Sequence, residues 1–468
     1  MAGQLWGSEF FFCIIVQRDS RNVIIEKVSK TFFRPHRRNT KLCWSWILLH
    51  RPFLPTITIY LIKQNLGVES INTKWFPTLT LVTSAVAMPA AGALERRNIF
   101  KATLFLSAMF CSLGILLSHL SVKSGYACFM LTYCVMYGIG FGLNYSTTPF
   151  VVLEWYPNNQ CLACGSVFFG LGVGWILFSQ IQTYIVKSQK CDFVFINGTN
   201  CEAPDKVPSV FMINGSIIFA VQMLGTVLMK KRESNEFHHE DYHSSEEASL
   251  ETDTSTCPDV NPRDLVHYRG FYILWMLQLI ECFPTMIFLT FYKSIGFATI
   301  EENLFVRIVS DSSAAFLLVG FILWSFLADK LSYKIPLLIV ALCRTIGLAI
   351  FPQCLELQPI KFFYAILVFI SVLCIAGYRI LIFVTVAKAF GVKYLGFNFA
   401  CINTASIFGG LSCTLFVIYF PVLEKIDNVL YICAALNAIA LLLLAFLPDR
   451  RYSCTCSKSA APAKEAVS

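Results

Sequence analysis

Ala91-Gly92-Ala93-Leu94-Glu95-Arg96-Arg97-Asn98-Ile99-Phe100-Lys101 is echoed in the second half of the chain by Ser325-Phe326-Leu327-Ala328-Asp329-Lys330-Leu331-Ser332-Tyr333-Lys334. Aligned, both read small, x, x, x, acid, base, x, small polar, with a base closing the segment. Each interrupts two long apolar runs, and recurrence in matching places points to an internal duplication. The pattern has a physical logic. A small residue lets neighbouring helices approach, and an acid beside it can receive a base or a helix N-terminus from across an interface.

Outward from these loops the chain is a series of apolar runs. We expect about twelve spans, near 42–62, 74–94, 99–120, 125–148, 162–186 and 209–229, then 270–292, 303–326, 335–352, 361–386, 395–420 and 429–447. Each has the ~20 residues that cross a bilayer as a helix. The runs are continuous, not alternating, which favours helices over barrel strands. Of 468 residues, 56% are hydrophobic and 14% are charged, against roughly a quarter charged in a soluble domain. A chain this apolar needs lipid as its solvent, where only helices or closed barrels satisfy the backbone. The 19 Cys mostly lie inside apolar runs and form no disulfide scaffold. Phe10 to Val16 is too short to span and runs into Arg18 and Asp19, so no cleavable signal is expected.

Polar segments divide the chain into an N-terminal segment (1–41), six spans (42–229), a linker (230–268), six more spans (269–447) and a tail (448–468). The linker carries Glu233, Glu236, Glu240 and Asp241 among Ser and Thr, and buries too little apolar surface to fold alone. Its His238, His239 and His243 are read as solvated, not as metal ligands. Lys and Arg collect at Arg34, Arg37, Arg38 and Lys41, at Arg96, Arg97 and Lys101, at Lys230 to Arg232, and at Arg450 and Arg451. By the positive-inside rule, this bias places both termini in the cytoplasm. The sequon Asn197-Gly198-Thr199 then falls outside, as an N-glycosylation site must. Cys191 and Cys201 share that side and either bridge or stay free. The +8 net charge is thus topological, and no nucleic acid is expected as a partner.

The loop pair resembles the signature of the major facilitator superfamily, whose glycines are Ala91, Ser325, Asn98 and Ser332 here and one of whose aspartates is Glu95. Trp155-Tyr156-Pro157 with Leu162-Ala163-Cys164-Gly165 resembles the segment entering span five of oxalate/formate antiporter-like and monocarboxylate transporters. Tyr292-Lys293-Ser294-Ile295-Gly296, and Phe390-Gly391-Val392-Lys393 with Asn398-Phe399, resemble the same group. The matches run from about residue 75 to the C-terminus; residues 1–70, with His50, Arg51, Pro52 and Pro55 in the first span, lie outside them. The resemblance implies an all-α membrane protein of about twelve transmembrane helices in two pseudo-symmetric six-helix bundles. It implies a central cavity lined by spans one, four, seven and ten with parts of five, eight and eleven, and alternating access around it. The expected activity is secondary transport of small organic anions, above all monocarboxylates, by a monomer. The plasma membrane is the expected location, with an internal membrane as the alternative.

A carboxylate in a low-dielectric cavity needs a cation or several hydrogen-bond donors. The resemblance implies an Arg in span eight and, in some members, a Lys in span eleven or one. Counting from Asp329 and from Asn398, those places hold Phe321 and Ser406. Glu281 of span seven and Arg379 of span ten are ionisable at membrane depth, where charge is costly. Counted from their helix ends they differ in depth by about one turn, and the resemblance puts both helices at the cavity, so the two could meet. Either Arg379 binds a substrate carboxylate while Glu281 neutralises the empty site and accepts a coupling proton, or the two form a structural pair. Asn144, Tyr145, Gln278 and Asn403 could position substrate or join helices. Arg344 of span nine is expected outside the cavity, snorkelling or structurally paired, and Arg307 with Asp311 a surface pair. Glu95, Arg96, Asp329 and Lys330 form the gating-loop signature. The glycines Gly138, Gly140 and Gly142 lack the strand–turn–helix context of a nucleotide site and are read as close-packing surfaces. No cofactor, metal or catalytic constellation is expected. The alternatives are a carrier of a neutral or zwitterionic solute, because the family cations are missing, or a non-transporting sensor.

Overall fold

Every apolar run that falls on described residues is helical, and no strand occurs among the described residues. The computed structural model describes residues 74–96, 99–155, 160–187, 207–229, 259–300, 302–331, 333–355 and 359–447. In chain order they form α1 (Trp75–Arg96), α2 (Phe100–Ser124), α3 (Tyr126–Phe129), a π-helical turn (Met130–Met136), α4 (Tyr137–Trp155), α5 (Gln160–Lys187) and α6 (Val207–Leu228). After a 3-10 turn at Leu265–His267 come α7 (Arg269–Thr299), α8 (Asn303–Lys330), α9 (Lys334–Cys354) and α10 (Ile360–Phe390). The chain closes with α11 (Leu395–Asn403), α12 (Ala405–Tyr419) and α13 (Ile426–Ala445). Among the described residues, eleven segments are long and apolar enough to cross a membrane. The expected first span, with His50 and Arg51, lies outside the described residues. So do the linker histidines, Asn197, Cys191 and Cys201.

Two expected spans are not uniform helices. Span four opens through the π-helical turn, which widens the helix and carries Tyr133 and Cys134 into the core. Span eleven is interrupted at Thr404, where Ile407 N donates to the Thr404 carbonyl at 3.0 Å in a tight i→i+3 turn. The Thr404 hydroxyl donates to Cys401 O (2.7 Å) and accepts from Trp275 Nε1 (3.0 Å), so the break is fully bonded. Spans seven and ten run several residues longer than their apolar stretches, because α7 continues to Thr299 and α10 to Phe390. Gly391, at φ 84°, takes the left-handed conformation that ends α10.

The outer faces confirm that the solvent is lipid. On α9, Ile335, Ile339, Leu342, Ile346 and Ile350 are exposed at three- and four-residue spacing, while Leu337, Val340, Ala341 and Leu348 are buried on the opposite face. Inside, small residues set the helix spacing. Gly138 and Gly142 lie against Thr83 and Ser84 of α1, whereas Gly140 lies against Cys111 and Ser107 of α2. A two-residue step rotates ~200° around a helix, so alternate glycines serve opposite neighbours. Ser107 Oγ donates to the Gly140 carbonyl at 2.7 Å, a bond that only this close approach permits.

The helix seams described here fall within one unit, Leu42–Val227 with Lys231–Ser468. Of the second unit, Met1–Lys41 with Leu228–Lys230, only Leu228 and Met229 are described. Two seams join the earlier helices to the later ones: α1 against α11 and α12, and α5 against α8 and α10. The repeated loop closes both. Asp329 accepts the backbone N–H of Cys161 (3.1 Å, Oδ1) and of Leu162 (2.9 Å, Oδ2), so its carboxylate caps the N-terminus of α5. Ser325 packs on Gly165 in the same seam. In the other copy, Glu95 is buried with Oε2 against Gly396, in the first turn of α11, and Gly92 faces the backbone of Phe397. An acid at a helix N-terminus meets the positive end of the helix dipole and its unpaired N–H groups. Lys330 lies over the Phe326 ring, 5.7 Å from its centroid. Arg96 ends α1.

Candidate functional site

Between these seams lies a cavity of about 180 Å³, enough for a metabolite of a few heavy atoms. α1 lines it with Phe76, Thr80, Ser84 and Met88, a face that repeats every turn. Tyr133 of the π-helical turn joins Phe141 and Tyr145 of α4. Gln278, Glu281 and Thr285 come from α7, Tyr378, Arg379 and Ile382 from α10, and Phe399, Asn403 and Ser406 from span eleven. Spans four, seven, ten and eleven were expected here. Span two (α1) was not, and among the described residues spans five and eight do not line the cavity.

The absence of spans five and eight has a packing cause. Phe321 stands where the resemblance puts an Arg; it is fully buried and packs 5.6 Å from Phe168 of α5. The aromatic chain continues from Phe168 to Phe383, from Phe383 to Phe399 and from Phe399 to Tyr145, with centroids 4.9–6.4 Å apart. Such ring pairs are attractive beyond their buried area. They fill the seam between α5, α8 and α10 with hydrocarbon, and the cavity ends on this cluster at Tyr145 and Phe399.

The Glu281–Arg379 pair does not form. Glu281 Oε2 instead pairs with the Nη1 of Arg344, both side chains 2% exposed. Of the two expectations for Arg344, snorkelling and a structural pair, it is the pair that forms, outside the cavity lining: the side chain points inward from α9, among Cys374 and Tyr378 of α10 and Cys433 of α13. All three ionisable residues lie ten to twelve residues from the ends of their helices that share one side of the bundle. At 1.5 Å per residue this is the same depth. Depth allowed either partner, and helix rotation chose Arg344. Glu281 still lines the cavity, and its Oε1 is buried without a hydrogen bond.

Arg379 is consequently left without an anion among the described residues. The ion pairs among the described residues are Arg344–Glu281 and Lys361–Glu302, and Arg379 takes part in neither. It is half-buried beside Tyr145, whose hydroxyl has no hydrogen-bond partner among the described residues. Gln278 is fixed: its Nε2 donates to Asn403 Oδ1 (3.2 Å) and Ser406 Oγ (2.8 Å), and Tyr378 donates to its Oε1 (3.4 Å). Ser406, where a Lys was implied, donates to Asn403 Oδ1 at 3.1 Å.

Arg379, Glu281, Tyr145, Gln278 and Asn403 are thus brought to one cavity. Asn144 is not: it is buried outside the lining, where its Oδ1 accepts the Thr148 hydroxyl. Asp311 is exposed, and neither it nor Arg307 reaches the site. The sequence reading passed over Thr80, Ser84, Met88, Thr285 and Tyr378. The one signal for them was the four-residue spacing of Thr80, Ser84 and Met88 on one face of α1.

A fold of this shape has solved counterparts. A proton:xylose symporter bound to 6-bromo-6-deoxy-D-glucose superposes with a TM-score of 0.65 at 14% identity, over 86% of this chain and 92% of that one. Curated relatives are distant in sequence. The apicoplast pyruvate carrier 1 of Toxoplasma gondii is 21% identical, over 82% of this chain and 77% of its own length. The oxalate:formate antiporter of Oxalobacter formigenes is 23% identical, over 78% and 79%. The sequence profile of the Major Facilitator Superfamily matches residues 45–410, reaching upstream of the motifs into the expected first span. With the helical fold, the repeated acid-capped seams and that match in agreement, the chain belongs to the major facilitator superfamily of membrane transporters.

Proposed function

We propose that this transporter carries small organic monoanions, monocarboxylates above all, with Arg379 as the group that binds the carboxylate. The observation that carries this reading is a guanidinium that, among the described residues, has no anionic partner in a largely apolar cavity. Such a charge is costly in low dielectric, and a substrate carboxylate offsets that cost by bidentate hydrogen bonding. Tyr145 lies beside it with a free hydroxyl to donate to the same anion. The pyruvate and oxalate/formate carriers among the relatives support the substrate class.

Glu281 is the candidate for proton coupling. Arg344 holds one carboxylate oxygen, and the other faces the cavity region with no donor. A proton on Oε1 neutralises the carboxylate without displacing Arg344 from Oε2, so Glu281 can take up a proton while the α7–α9 tie persists. In this reading the chain comprises two six-helix halves, 42–229 and 269–447, rocking about the cavity, with the acidic linker and both termini cytoplasmic. The loop acids Glu95 and Asp329 hold the two seams closed on that side, and Asn197 is glycosylated outside.

The test is counterflow in proteoliposomes with labelled lactate, pyruvate, formate and oxalate at two pH values. We expect uptake of monocarboxylates by the wild type, and a drop of at least ~100-fold in kcat/KM in Arg379→Gln, equivalent to ~3 kcal/mol. No carboxylate uptake by the wild type sinks the proposal, and normal uptake by Arg379→Gln removes Arg379 from the site.

A further inference from the structure

Asn403 lines the cavity with a side-chain amide whose orientation is fixed. Its side-chain amide cannot flip freely, because Oδ1 accepts from two donors at once, Gln278 Nε2 at 3.2 Å and Ser406 Oγ at 3.1 Å. Gln278 is itself held from its other end by the Tyr378 hydroxyl. The amide nitrogen therefore has one direction left. It points at Met88, with Nδ2 3.0 Å from the thioether sulfur. A thioether is a weak acceptor, so the amide donor of this buried residue, 6% exposed, is only nominally satisfied. Met88, Asn403, Tyr145 and Arg379 all line the same cavity.

The neighbouring polar groups differ in kind. Thr80 and Ser84 donate back to their own helix, to Phe76 O (3.0 Å) and Leu81 O (2.7 Å), so they offer lone pairs to a ligand. The hydroxyls of Tyr145 and Thr285 rotate and impose little direction. Gln278 Nε2 and the hydroxyls of Tyr378 and Ser406 are also directed, but each donates to an oxygen of the protein; Asn403 Nδ2 is the fixed donor whose acceptor is a sulfur.

We infer that Asn403 is a specificity-determining residue, whose amide donates to an oxygen carried next to the carboxylate, as in a 2-oxo or 2-hydroxy acid. This rests on the reading of Arg379 as the carboxylate site. A ligand with such an oxygen replaces a sulfur contact by an N–H···O bond. A ligand with only hydrocarbon there leaves the donor against sulfur. A site that has lost water and holds a directed donor discriminates against the analogue lacking the acceptor.

The experiment is competition in proteoliposome counterflow between pyruvate, lactate and propionate, three monocarboxylates of matched size, read as the ratio of apparent KM values. In the wild type we expect pyruvate or lactate to be favoured over propionate by about tenfold. Asn403→Leu brings that ratio to about one. Met88→Gln, similar in length and supplying an amide oxygen to Nδ2 from the protein itself, also lowers it without touching Asn403. A wild type that takes propionate as well as pyruvate overturns the inference while leaving the Arg379 reading intact. A ratio preserved in folded Asn403→Leu overturns it too. Absence of all carboxylate uptake is the separate failure of the proposed function.

Discussion

Replacing Arg344 by Leu removes the partner of a carboxylate buried to 2% exposure. Glu281 then has no donor at Oε2 and already lacks one at Oε1. Breaking a buried pair by deleting one member costs about 3–5 kcal/mol, because the remaining charge is left uncompensated. For Arg344→Leu the cost is bounded, since Glu281 can take a proton and become neutral. For Glu281→Leu it is larger, since a guanidinium stays protonated and its fork is left facing apolar side chains. Replacing both by Leu removes two desolvation penalties together with one attraction, and the double variant is expected within ~1 kcal/mol of wild type. The coupling energy of the cycle is then about 3 kcal/mol or more, well beyond the few tenths found for independent sites. Thermal unfolding in detergent can be followed with a thiol-reactive fluorophore, because Cys374 and Cys433 beside the pair are buried. Additive losses, with the double variant as unstable as the two singles summed, would refute the pairing of Glu281 with Arg344 as the tie between α7 and α9.

Asp329→Ala removes a carboxylate that accepts two backbone N–H groups at the start of α5; at ~1.5–3 kcal/mol for each charge-assisted bond, the seam loosens and maleimide labelling of buried Cys161 and Cys164 rises severalfold. Unchanged labelling would show that the cap does not hold the seam. Gly142→Ala puts a Cβ into the Ser84 carbonyl and within 3.0 Å of the Ser84 Cα, all backbone with no rotamer to yield. It is expected to destabilise by ~1–3 kcal/mol, while Gly225→Ala, with nothing within 4 Å, is neutral or gains up to ~1 kcal/mol of helix propensity; a melting comparison of the two decides. Glu281→Gln keeps an acceptor for Arg344 but cannot carry a proton as a carboxylate does. Its counterflow exchange is expected to persist while uptake driven by an inward proton gradient falls to the level of exchange alone. Equal gradient sensitivity in this variant and the wild type would remove Glu281 from coupling.

The sequence by itself determined that the chain is a helical membrane protein, and where nearly every described span begins. Apolar runs longer than a bilayer needs leave the backbone no other solution. The repeated acid also limited its own role, because an acid beside a small residue in such a loop can receive a base or a helix N-terminus, and only the packed structure chose between them. Asp329 on α5 and Glu95 at α11 occupy that role. Depth was legible as well: Glu281, Arg344 and Arg379 were each countable to within a turn.

Azimuth was not legible. Whether Glu281 meets Arg379 or Arg344 depends on how α7, α9 and α10 are rotated, and that is set by side chains packing on three or four neighbours at once. The same holds for the π-helical turn of span four and the break at Thr404, which local composition does not announce. The charge left over at the site is a property of the packed bundle. Among the described residues Arg379 has no anion, because Arg344, a residue with no visible claim to the cavity, pairs with Glu281.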